Sequence, residues 1–298
     1  MVRIKLEFFG LFPINVRMIK IHLFPGQGSQ KVGMGKELFS LFPDETALAS
    51  EILGYSIESL CVEDPQQLLN RTDYTQPALY VVNALSYFQK VKEMGGKPDY
   101  VAGHSLGEYN ALLAAEVFDF ATGLKLVQKR GALMAQAQGG GMAAVLGMPV
   151  ERIQELLKNP AYASIDVANY NAPEQTVISG PAEAIQKAKA DFDAAGAKRY
   201  VVLPVSGAFH SRYMQPSQEE FANFLEGFTF GSPSIPVISN VEARPYRLEE
   251  VKSNLSKQIT SSVRWVETIR LLLEIPEVEF EEVGPGRVLT GLLKQIKG

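Results

Sequence analysis

YVAGHSLGEYNALLAAEVF, residues 100–118, is the stretch whose reading decides the fold. Tyr100-Val101-Ala102 reads as a short apolar strand, Gly103 to Gly107 as a sharp turn, and EYNALLAAEVF as a helix. Strand, tight turn and helix in that order are the building unit of an α/β protein. The turn matches G-x-S-x-G, a nucleophile elbow, with Ser105 at its tip in a strained backbone conformation and its hydroxyl exposed. Side chains in place of the flanking glycines would collide with the turn or with the neighbouring strand. The helix that follows aims its N-terminal amides at the point where an oxyanion forms, and the amide after the nucleophile, that of Leu106, is the expected donor. A plain surface loop is the competing reading, since a chain with 25 glycines can match five positions by chance. Its place between a strand and a helix favours the elbow.

Working outward, residues 19–24 read as a buried strand that runs into the turn Pro25-Gly26-Gln27-Gly28. Residues 76–94 carry apolar side chains at helical spacing and stop at Gly95-Gly96. From 141 to 206 the pattern becomes strand MAAVLGM, helix ERIQELLK, strands SIDVANY and QTVISG, helix PAEAIQKAKADFDAAG and strand KRYVVLPV. That β-α-β-β-α-β order predicts a ferredoxin-like unit, with Gly139-Gly140-Gly141 as the hinge into it. The chain then returns through FANFLEGF, PVISN, VRWVETIRLLLEI and VEFEEVG. We therefore expect an α/β class with a large core over 19–140 and 207–298 and an inserted subdomain over 141–206. Residues 1–18 are expected to be an extension or a start-site artefact. Pro13 and Arg17 interrupt the apolar patch there, and a signal-peptide cleavage site is lacking.

A serine nucleophile needs a base, and the chain has three histidines. His22 lies inside the first strand, where a core role is expected. His104 adjoins the nucleophile, and neighbours on a tight elbow point apart. His210 remains, in the small-residue loop VSGAFHS directly after the last strand of the inserted unit. Arg130 lies on the helical stretch ATGLKLVQKRGALM and shares its apolar face with Leu126, Val127, Leu133 and Met134. A guanidinium on a buried face requires an anionic partner, and its planar fork suits a carboxylate. A structural pair with a protein carboxylate, or a snorkelling side chain, are the alternatives.

Composition narrows the field. A formal net charge of -4 provides no chain-wide basic field for nucleic acid or an anionic membrane. No apolar run reaches the length of a membrane span. The single cysteine, Cys61, cannot form an internal disulfide, fits a cytoplasmic location and reads as a small buried apolar residue. No His/Cys cluster has ligand spacing, so neither a metal nor a redox cofactor is expected.

The segments FPGQGSQ (24–30), TQPAL (75–79), AGHSLGE (102–108), QKRG (128–131), NAPEQTVISG (171–180), GAFHS (207–211) and EVGPGRVLTGL (282–292) together resemble the malonyl-CoA:acyl-carrier-protein transacylase family. The resemblance runs from Ile19 to Lys297. LGYSIESLC, TQPALYVVNALSY, GGGMAAV and PVISNVEARPY look closest to the discrete acyltransferases that serve modular polyketide synthases in trans. It implies an α/β-hydrolase-like core with the ferredoxin-like insertion, Ser105 as the acylated nucleophile and His210 as general base and later acid. It further implies backbone amides of Leu106 and Gln27 as the oxyanion hole, Arg130 gripping the free carboxylate of malonate, and the backbone near Gln258 orienting the histidine. By its residue type alone, Gln258 reads as a helix-surface residue. Phe209, just before the histidine, implies a preference for malonyl over methylmalonyl. The implied activity moves malonyl from malonyl-CoA to the phosphopantetheine thiol of an acyl carrier protein, in polyketide or fatty acid biosynthesis, with no cofactor and as a monomer. A thioester hydrolase on the same scaffold and an inactive carrier-protein docking subunit are the alternatives. Arg130 argues against the first, and the retention of Ser105, His210 and Arg130 against the second.

Overall fold

The computed structural model describes residues 17–298. The expectation for the N-terminal extension therefore lies outside the described residues, except for Arg17 and Met18. In chain order the strands are β1 (Ile19–Phe24), β2 (Tyr100–Gly103), β3 (Gly140–Leu146), β4 (Asp166–Ala172), β5 (Gln175–Pro181), β6 (Arg199–Val202), β7 (Val237–Ile238) and β8 (Val278–Glu282). They form two four-stranded sheets, ordered β7-β2-β1-β8 and β4-β5-β3-β6.

The first sheet is parallel throughout. Parallel strands require long crossovers, and helices supply them here, covering both faces. The period-2 alternation of side chains divides the core accordingly. Phe24, Val101 and Val237 pack on one face with the helices Thr72–Met94, Gly107–Ala114 and Phe120–Ala135. Ile21, Leu23, Ala102 and Ile238 point to the other, against Trp265, Ile269 and Leu272 of helix Trp265–Leu273 and Leu289 of helix Val288–Lys297.

The second sheet is antiparallel, with order 2-3-1-4 counted within the unit. That is the order of a split β-α-β ferredoxin-like unit. One face, including Ala143, Val145 and Ile178, carries the helices Val150–Leu157 and Ala182–Ala194 through Ile153, Ile185 and Phe192. The opposite face puts Met142, Ala168 and Val177 into the main core. The protein is thus an α/β-hydrolase-like core carrying a ferredoxin-like subdomain. Backbone bonds Tyr170 N–H to Val263 O (2.9 Å) and Val263 N–H to Ala168 O (2.9 Å) tie β4 to the segment entering helix Trp265–Leu273.

Among the element boundaries that differ from the sequence reading, two lie in helices that pack around the elbow. The helix expected to start at residue 76 begins at Thr72 and holds Pro77 inside it. Proline removes one backbone donor there, while Thr75 Oγ1 donates to the Leu69 and Arg71 carbonyls and ties off the extra turn. The helix after the elbow ends at Ala114 rather than continuing to Phe118. Glu116 turns the chain away with a positive φ of 60°.

Candidate active site

The elbow is built by close backbone approach. A Cβ on Gly107 would lie 2.0 Å from the carbonyl oxygen of Phe24, so only glycine lets this helix start against the end of β1. A Cβ on Gly26 would lie 2.4 Å from the His104 carbonyl oxygen, so the Gln27 loop reaches the elbow for the same reason. Ser105 sits at the tip with φ 49°, the left-handed region that a non-glycine residue occupies only where its surroundings impose it.

The surroundings are visible. Asn240, just past β7, accepts the Ser105 amide N–H at its Oδ1 (2.7 Å) and donates from Nδ2 to the Gly103 carbonyl (2.7 Å). One side chain therefore clamps both ends of the turn. The Ser105 amide is thus occupied, whereas the amides of Leu106 and Gln27 differ. Among the described residues neither donates to a protein acceptor, and both residues line a small cavity of about 110 Å³ at the nucleophile.

His210 also has a positive φ, 56°, and is 5% exposed. Its Nδ1 lies 2.8 Å from the Gln258 carbonyl oxygen, which can only accept, so Nδ1 carries the proton. Nε2 is then the acceptor, 2.8 Å from Ser105 Oγ. Burial first, and then the Arg130 charge, pull the His210 imidazole down to about 3, against the raising effect of the Gln258 carbonyl. The ring is therefore neutral, with Nε2 as a hydrogen-bond acceptor, throughout the physiological range. For a neutral acyl thioester, the acid limb of kcat/KM is expected below pH 5, because protonation of the base sets that limb. A midpoint near 6.5, where an ordinary histidine titrates, would contradict this geometry.

Arg130 is 1% exposed and forms no ion pair with a carboxylate among the described residues. Nη1 donates to Gln76 Oε1 (2.6 Å), and Nη2 donates to Gln258 Oε1 (2.8 Å) and Ser105 Oγ (3.1 Å). The anionic protein partner weighed as an alternative is thus replaced by two amide oxygens, and the side chain does not snorkel. Amide oxygens orient a guanidinium without cancelling its charge, so a full positive charge stands beside the nucleophile.

The remaining site residues are placed as follows. Phe209 lines the same cavity with Met134, Met142, Leu203 and Val205. His104 also lines it, but its Nε2 is engaged with Asn171 Oδ1 (2.7 Å) and its ring packs edge-on to Trp265. His22 is buried in β1, away from this cluster. Gln258 corrects the surface reading of its residue type. It caps helix Val251–Lys257, is fully buried, and touches the site through both its carbonyl and its side chain.

Four residues at the site were given no role by the sequence reading: Gln76, Asn240, Tyr246 and Glu108. Glu108 is fully buried one turn below Ser105 and accepts from the Asn240 amide, the Tyr246 hydroxyl and Gln258 Nε2. Burial pushes its carboxyl up to about 7, against the pull of those three donors and of Arg130. A lone carboxylate on the otherwise apolar helical face after the elbow was the available signal.

With this arrangement in place, the relationships to known proteins become informative. The family described as acyl transferase domain matches residues 21–295. The chain belongs to that family. It is 56% identical to the polyketide biosynthesis malonyl CoA-acyl carrier protein transacylase PksC of Bacillus subtilis, over 93% of this chain and 96% of that relative. Among solved structures it is similar to a malonyl CoA-acyl carrier protein transacylase from Burkholderia pseudomallei. That comparison gives a TM-score of 0.91 at 51% identity and covers 94% of this chain and 98% of the other. It is also similar to a malonyl-transacylase solved in complex with its type II polyketide-synthase acyl-carrier protein, with a TM-score of 0.88 at 40% identity over 93% of each chain.

Proposed function

We propose that this protein transfers a malonyl group from malonyl-CoA to the phosphopantetheine thiol of an acyl carrier protein through an ester on Ser105. The observation that carries this reading is the Arg130 guanidinium, buried, without an ion-pair partner among the described residues and 3.1 Å from Ser105 Oγ. A charge held there without a carboxylate partner matches an acyl group that brings its own. The names of the relatives support malonate as that group, and an acyl carrier protein as the acceptor. PksC, the 56% identical relative named for polyketide biosynthesis, supports duty in a polyketide pathway. The buried, unpaired Cys61 is consistent with the reducing cytoplasm.

In this mechanism His210 Nε2 takes the Ser105 proton as Oγ attacks the thioester carbonyl. The Leu106 and Gln27 amides receive the oxyanion. The C–S bond breaks, and the proton on Nε2 passes to the coenzyme A thiolate as it leaves. The carrier thiol then gives its proton to Nε2 and attacks the ester, the C–O bond breaks, and Ser105 recovers its proton. Phe209 narrows the acyl end of the cavity, where one extra methyl alters discrimination by about 1–3 kcal/mol.

Mixing the protein with malonyl-CoA and quenching is expected to add one malonyl mass to the peptide holding Ser105. Subsequent addition of a holo acyl carrier protein is expected to move that mass to the carrier. An unmodified peptide would refute the ester, and discharge at the same rate without carrier would identify a hydrolase instead.

A further inference from the structure

The side chain of Gln258 stands between Arg130 and Glu108, and its orientation is a chemical choice. An amide oxygen and an amide nitrogen are nearly the same size, so shape alone does not decide which way a buried glutamine faces; its partners do. Here Oε1 accepts Arg130 Nη2 at 2.8 Å, while Nε2 donates to the Ser105 carbonyl at 2.9 Å and to Glu108 Oε2. The other Glu108 oxygen is filled by Asn240 N–H (2.8 Å) and Tyr246 O–H (2.8 Å). A carboxylate with two donors on one oxygen presents a pure acceptor with the other. While Glu108 is ionised, only the NH2 end of Gln258 can face it.

We propose that Glu108 is a positioning residue for acyl-group selection: its carboxylate fixes the direction of the Gln258 amide and thereby holds that amide's oxygen against Arg130. The inference rests on the malonyl reading above. Through this relay the guanidinium is oriented by a dipole rather than paired with a charge, so it stays available to an anionic acyl group. Glu108, one residue before Tyr109, whose ring lies 5.6 Å from the Arg130 guanidinium carbon, also places a carboxylate near enough to favour that cation inside a fully buried site. The same carboxylate steadies Asn240, the residue that clamps the elbow. Nucleophile placement and cation placement thus share one buried group.

Glu108→Gln changes the pattern with almost no change in shape. Its single amide oxygen stays with the Asn240 and Tyr246 donors, and its NH2 then opposes the NH2 of Gln258. Either that contact is left unsatisfied, or Gln258 turns over and meets Arg130 with NH2. An unsatisfied buried donor costs about 1–3 kcal/mol. At pH 8, where Glu108 is ionised, the ratio of kcat/KM for malonyl-CoA over acetyl-CoA is expected to fall roughly tenfold or more in Glu108→Gln, that fold-change being the size of such a loss. Gln258→Met, which removes the relay and keeps the backbone carbonyl, is expected to lower the ratio similarly. The double variant is expected to lower it no further, because both changes break one chain of contacts. Tyr246→Phe serves as the structural control, since it removes a donor from the oxygen that Gln258 does not use. Because that donor also holds the Glu108 carboxyl down, the control is read at both pH 8 and pH 9, and at the higher pH it is expected to keep the ratio while lowering the thermal midpoint.

An unchanged ratio in Glu108→Gln, additive losses in the double variant, or an equal loss in Tyr246→Phe at pH 9 would overturn the proposal. Should Glu108→Gln not fold, an unchanged ratio in Gln258→Met overturns it from the other end of the relay. A parent protein that takes up no malonyl defeats the functional reading instead, and the two failures are told apart by the unmutated enzyme.

Discussion

Ser105→Ala is expected to take up no malonyl mass and to lose about ten-thousandfold or more in transfer, because nucleophile and base act as one unit. The expectation follows from the pairing at 2.8 Å with a histidine whose proton is fixed on the far nitrogen by the Gln258 carbonyl. His210→Ala is expected to fall by a similar order. Its residual activity should rise with pH, as hydroxide replaces the missing base. The double variant should lose little beyond either single one. Quenched mass spectrometry reads the ester and a carrier-protein assay reads transfer. Substantial transfer by Ser105→Ala would mean that the acyl group never rests on this hydroxyl. The fold should survive the change, since the Asn240 clamp grips the backbone of residue 105 and not its side chain.

The second large effect belongs to Arg130. Arg130→Ala is expected to lower kcat/KM for malonyl-CoA by about 10²–10³-fold, the size of two charge-assisted hydrogen bonds to a carboxylate. Acetyl-CoA, which offers no carboxylate, is expected to change by only a few fold, through the lost contact from Nη2 to Ser105 Oγ. Arg130→Lys keeps the charge but cannot serve Gln76, Gln258 and a ligand with one planar fork, so it should recover only part of the malonyl activity. Parallel kinetics with the two thioesters settle the matter. Equal losses for both would make Arg130 a structural residue.

The sequence made some of this legible and hid the rest for physical reasons. Ser105 announces itself because a nucleophile elbow needs glycines at set positions within five residues, and the collisions at Gly107 show why. Arg130 is readable because helical periodicity puts it among Leu126, Val127 and Met134, all of them buried. His210 follows from scarcity, and the three histidines do separate as expected into a strand interior, an elbow neighbour and a loop. The α/β class and the order of the small unit are carried by local periodicity, which any window of residues contains. The polar residues behind the site are different. Gln258, Asn240 and Gln76 have roles defined by what lies opposite them after folding, and an isolated glutamine at a helix end looks like a solvated one. Their partners lie 128, 135 and 54 residues away in sequence. Helix ends were similarly hard to read, since Pro77 and the left-handed Glu116 follow their surroundings rather than local preference.

The pairing of β1 with β8 sets residues 19–23 beside residues 278–282, so the first described strand waits for the last. During synthesis the elbow leaves the ribosome long before its base, its clamp and the strand that closes the sheet. Contacts of such long range form late, after most of the loop-closure entropy has been met. A nascent chain holding Ser105 is therefore expected to lack its base, its clamp and the carbonyl that orients the base until residues 210, 240 and 258 have been made.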